Sequence, residues 1–131
     1  MWLAKQQKRE IEEPFSALGE VTIAGETPAV ELDSERRDLV VYAPGGYRWR
    51  PARGQKVLVL KADGETCVAG APSRAGLEPG EVALDSAGGA GLKLDNGGNV
   101  SVTGNLVVGG TELTQLIRNI AVEAVSDMLG G

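Results

Sequence analysis

The sequence predicts a mainly β protein with an OB-like barrel over residues 15–71, an alternating stem over 82–110 and an amphipathic helix over 111–131. Three observations carry this. Five short apolar runs between turn signals fill the first half. From Val82 to Gly110 the large apolar residues fall on even numbers, Val107 being the main exception, and the polar ones mostly on odd. After Thr111 the apolar period lengthens from two to about three and a half, which marks a change from strand to helix.

Residues 1–14 are mostly polar and charged, with Trp2 and Leu3 out of character near the very end. They read as a terminal arm, either a plain tail or a docking segment for a partner. Residues 15–71 offer strands at 16–23, 29–32, 38–42, 56–61 and 66–69. Between them stand Gly25-Glu26-Thr27-Pro28, Pro44-Gly45-Gly46, Pro51-Ala52-Arg53-Gly54 and Asp63-Gly64, all turn chemistry. The unbroken apolar run Val57-Leu58-Val59-Leu60 is expected of a strand covered on both faces. Five short strands in this length suit an OB-type barrel, and an SH3-like barrel fits almost as well. Pro72, Pro79 and several glycines make residues 72–81 a linker.

The stem comes next. Val82, Leu84, Leu92, Leu94, Val100, Val102, Leu106 and Val108 share one parity, and Lys93, Asp95, Asn99, Ser101, Thr103 and Asn105 share the other. One face is therefore apolar and the other wet. Burying eight such side chains yields roughly 12–24 kcal/mol, whereas ordering the segment costs roughly 29–58 kcal/mol of backbone entropy. The stripe must meet another apolar surface, supplied either by the rest of this chain or by copies of it. Asp95-Asn96-Gly97-Gly98 is a tight-turn signal. Gly88-Gly89-Ala90-Gly91-Leu92-Lys93-Leu94 begins like a calcium-binding nonapeptide, but Lys93 stands where that repeat needs an aspartate.

In the last segment Leu113, Leu116, Ile117, Ile120, Ala124, Val125 and Met128 line one helical face. Thr111 reads as the N-cap and Glu112 as a first-turn acid. Leu113, Ile117, Ile120 and Ala124 are spaced four, three, four, as in a coiled-coil seam; a helix packed on its own chain explains them equally well.

Composition excludes several function classes. The chain has no histidine, which removes the commonest general base and transition-metal ligand, and no Ser-His-Asp or Cys-His site can form within it. Cys67 is the single cysteine, so no intrachain disulfide forms and the residue reads as inert core. No catalytic residue, cofactor or metal site is expected. A net charge of −5 argues against a general nucleic-acid binder. No run spans a bilayer and the first residues lack a secretory signal, so synthesis in the cytoplasm is expected. Tyr47, Arg48, Trp49, Arg50 and Arg53 form the one aromatic-basic cluster. It suits a loop docking on a protein partner, a barrel loop with Trp49 turned into the core, or, as the alternative function, an OB-fold module stacking single-stranded nucleic acid.

Two stretches carry a family resemblance. Pro44-Gly-Gly-Tyr-Arg-Trp-Arg-Pro51 with Gly54-Gln-Lys-Val-Leu-Val-Leu60 resembles the barrel of the phage baseplate assembly protein V family. Glu78-Pro-Gly-Glu-Val-Ala-Leu-Asp85 followed by Leu92-Lys-Leu-Asp-Asn-Gly-Gly-Asn-Val-Ser-Val-Thr-Gly104 resembles its spike stem. The resemblance covers roughly residues 15 to 110. It implies a homotrimer whose barrels seat on the baseplate hub at the end of a contractile tail tube, with Trp2, Tyr47, Arg48, Trp49 and Arg50 as hub-docking residues. It also implies a β-prism of three interwoven stems filled by the even-numbered valines and leucines. The function implied is mechanical: a virion tail spike, or its counterpart in a bacteriocin or other injection system, that touches the target envelope while piercing it. Many members end in a His-x-His apex that holds iron. This chain has no histidine and ends in a helix, which leaves three roles for that helix: a terminal bundle, a segment folded back on the stem, or a holder for a separate tip protein.

Overall fold

The computed structural model describes residues 15–130; the segment 1–14, with Trp2, lies outside the described residues. The chain divides between Arg74 and Ala75 into two units. In the first, β1 (Ser16–Ile23), β2 (Ala29–Glu31), β3 (Glu35–Arg36), β4 (Val40–Val41), β5 (Lys56–Ala62) and β6 (Glu65–Gly70) form one sheet in the order β3-β2-β1-β5-β6-β4. Neighbours are antiparallel except β4 and β6, which run parallel. The two edge strands, β3 and β4, are separated in sequence only by residues 37–39. The sheet must therefore curl until both edges reach the same stretch of chain. Asp38 makes the bend with a φ of 54°, a left-handed conformation that Asp tolerates better than most residues. Leu39 follows into the interior, and its N–H donates to the Pro28 carbonyl at 3.1 Å.

The result is a curled half-barrel. It corrects the five-strand expectation at one place: the strand expected over 38–42 shrinks to Val40–Val41, and a further short strand forms before it at Glu35–Arg36. Alternation sorts the residues. Val21, Val57, Val59 and Val68 point inward and, with Val30 and Leu39, make the core, against which Phe15, Leu32, Val41 and Trp49 pack. The expectation that 57–60 is covered on both faces holds for the inner face alone. Leu58 remains 38% exposed beside Leu18, its partner across the ladder, at 59%.

In the second unit, β7 (Val82–Asp85), β8 (Gly91–Leu94) and β9 (Val100–Thr103) form an antiparallel meander. A hairpin of β10 (Val107–Val108) and β11 (Thr111–Glu112) follows, and then α1 (Leu113–Gly130). Gly109 and Gly110 close the hairpin with φ of 58° and 86°. Positive φ at both central residues is the geometry of a type I′ turn, which glycine adopts without strain. This corrects the helix start: Thr111 pairs with Val108 in a strand and is not an N-cap, and Glu112 is likewise in the strand. No helix among the described residues is long and apolar enough to cross a membrane.

Candidate assembly surface

The register of the meander decides which side chains share a face. Val82 stands opposite Leu94, Leu84 opposite Leu92, Leu92 opposite Val102 and Leu94 opposite Val100. Directly opposed residues lie on the same side of a sheet. Six of the eight expected stem-core residues are thereby brought onto one side of β7–β9. Ala83, Lys93 and Ser101 oppose one another on the other side. Leu106 and Val108 lie beyond this sheet, at and in the β10–β11 hairpin.

That apolar side has no cover from its own unit. Leu92 is half-buried, and Val82, Leu84, Leu94, Val100 and Val102 are 43–62% exposed. Among the described residues every buried hydrophobic belongs to the first unit, and no residue from 75 to 130 is buried. The strands thus hold their register through backbone bonds and turns while the face that should be dry is open. The outer edges of β7 and β9 are likewise sheet edges, with backbone groups available to a further strand. An open groove of about 330 Å³ extends the face past β9, with Val100, Val102, Leu106 and Leu113 among its lining.

The turns that fix this face are built twice. Ser86 N–H donates to the Ala90 carbonyl (2.9 Å) and Gly89 N–H to Ser86 (3.0 Å); nine residues on, Asp95 N–H donates to Asn99 (3.1 Å) and Gly98 N–H to Asp95 (3.2 Å). Gly89 and Gly98 both take positive φ, 93° and 81°. The expected Asp95-Asn96-Gly97-Gly98 turn is present, and the Asp95 carboxylate locks it by accepting from the Asn99 backbone N–H at 2.9 Å and from Asn99 Nδ2 at 3.2 Å. These bonds hold the Asp95 carboxyl below its usual range.

Glu81 is a residue that sequence reasoning missed. Its carboxylate accepts from the Glu78 N–H (3.0 Å) and from the Asn96 N–H (3.0 Å), and pairs with Lys93 at 3.7 Å. Asn96 Nδ2 donates in turn to the Pro79 carbonyl at 2.9 Å. Residues 78–81, expected as linker, are thus clamped to the β8–β9 turn. The Glu78 and Asn96 N–H groups, then Lys93, depress the Glu81 carboxyl. A depressed folded-state pKa means that the clamp is complete above the ordinary glutamate range and is lost as pH falls through the lower, folded value. The amide resonances of Glu78 and Asn96 are expected to titrate together below that ordinary range, and Glu81→Gln should abolish the shared step. Titration of those amides at an unperturbed glutamate value would remove the clamp.

The aromatic-basic loop is split by the fold. Trp49 is half-buried against the core, whereas Tyr47, Arg48, Arg50 and Arg53 are exposed. Arg50 reaches Glu26 only at 4.0 Å with both side chains largely solvated, a pair worth little. The outer-face pair Leu18 and Leu58, with Val40 exposed on β4, forms a second exposed apolar patch; its signal was the unbroken apolar run at 57–60. Cys67 is buried in β6 with a free thiol. Among the described residues no group of His, Cys, Asp and Glu is arranged to hold a metal. Compared with family models, curated proteins and solved structures, the chain matches none.

Proposed function

We propose that this chain is a structural component: the homotrimeric central spike of a contractile phage tail or a related injection system. Its half-barrels seat on a baseplate hub, its stems wind into a β-prism, and its work is to transmit force to the target envelope without covalent chemistry. The observation that carries the proposal is the uncovered face of β7–β9. Half-exposed side chains regain about half of the 1.5–3 kcal/mol that full burial is worth, so six give roughly 5–9 kcal/mol per copy. Three such faces turned to one axis complete an interior that one copy lacks, and the free edges of β7 and β9 pair between copies. The number three and the tail setting come from the resemblance of residues 15–110.

The half-barrel supports the same reading. With residues 35–41 taken as one interrupted strand, its connectivity is that of a five-stranded, partly open barrel. Hub contact falls to Tyr47, Arg48 and Arg50 on the exposed loop and to the Leu18–Leu58 patch. The single-strand-binding alternative is weaker, because Trp49, its main stacking group, rests on the core. The test is immunogold labelling of contractile-tail particles from cells that make this chain. Label at the distal end of the tail tube is expected. Intact particles without label there would refute the assignment.

A further inference from the structure

The helix α1 has no partner within its own unit. Apart from half-buried Leu116, all its residues are exposed, up to 84% at Met128 and Leu129. Within one chain, then, α1 does not fold back on its own stem. An 18-residue helix containing Thr, Asn, Ile and Val is marginal in water unless its apolar face is packed.

We infer that the α1 helices of three copies pack in parallel as a three-helix bundle that continues the stem, a proposal that rests on the trimeric spike assigned above. Three observations favour further copies of this chain as the occupant. First, the helix seam is continuous with the stem face. Leu113 N–H donates to the Leu106 carbonyl at 2.7 Å, and Leu113 lines the same groove as Val100, Val102 and Leu106. A neighbour that covers the stem face reaches the first seam residue as well. Second, the seam residues suit three strands. Ile117 and Ile120 occupy successive a and d positions, and isoleucine at both favours trimers or tetramers over dimers. Third, the spacing suits a straight continuation. From Ile117 the intervals to Ile120, Ala124 and Met128 are three, four and four, eleven residues over three turns, close to the period of a straight helix. Three stems joined upstream hold their helices at a high effective concentration, so a short seam suffices. The side-chain bond from Gln115 Nε2 to Asn119 Oδ1 (2.8 Å) lies on the opposite, polar face.

The test uses the full chain with Ile117→Cys, with Ala124→Cys as a second seam variant and Asn119→Cys as the outer-face control. Each is mildly oxidised and run without reductant, beside a light-scattering mass. A parallel bundle brings like seam positions together, so both seam variants should give mostly covalent dimers, and Asn119→Cys only the background of the native chain, whose Cys67 is buried. A three-chain mass with seam variants no more cross-linked than Asn119→Cys would overturn the bundle and leave the spike standing; that result is also expected if a separate tip protein takes the seam. A one-chain mass would overturn both.

Discussion

Val102→Asp is expected to abolish assembly, while Ser101→Asp leaves it intact. The two residues are neighbours on β9, yet they face opposite sides of the sheet: Val102 opposes Leu92 and Ser101 opposes Lys93. In the proposed trimer, aspartate at 102 would place three carboxylates around a dry axis. Burying unpaired charge is among the costliest changes a core can suffer, and raised pKa values relieve it only by protonation. Aspartate at 101 faces water beside a lysine, where the added charge is tolerated. Sedimentation of the two variants separates them: Val102→Asp should run as single chains and Ser101→Asp as the native assembly. Equal damage from both would show that the faces are wrongly assigned.

Gly19→Ala should destabilise the half-barrel strongly. Gly19 is buried on β1 opposite Val57. A Cβ there would stand 2.5 Å from Val30 Cγ1 and from Leu32 Cδ2, and 2.7 Å from the Glu31 carbonyl oxygen. The last is backbone of the paired strand and cannot rotate away. Overpacking of this kind costs about 1–3 kcal/mol or more, a fall in Tm of about 10 °C for a unit of this size. Gly70→Ala is the control, since nothing lies within 4 Å of a Cβ at Gly70. A native melting temperature for Gly19→Ala would mean that β1 and β2 do not approach so closely.

How much was legible in the sequence depended on whether a signal was local. Period-two alternation fixed the stem face from Val82 to Val102, because register leaves no choice once one side is apolar. The Ser16–Ile23 strand was readable for the same reason. The broken edge strand was not: Glu35–Arg36 has no alternation to see, and the bend at Asp38 follows from where Leu39 must go. The helix start was misplaced by two residues because Thr111-Glu112 is good capping chemistry, yet Gly109-Gly110 supplies a two-residue turn that pairs Thr111 with Val108. Glu81 was hidden because its partners Glu78 and Asn96 are joined only by folding. Leu58 shows the reverse error: the unbroken apolar run suggested cover on both faces, yet the curl of the sheet leaves it exposed. Trp49 was open between a docking loop and the core, and the fold packs it on the core.

The most direct measurement is the mass of the native full-length chain in dilute solution, by light scattering at micromolar concentration. An interior shared between copies requires a multiple of the chain mass, retained on dilution, and the proposed spike sets that multiple at three. A stable, folded single chain with its stem valines and leucines in solvent would contradict it.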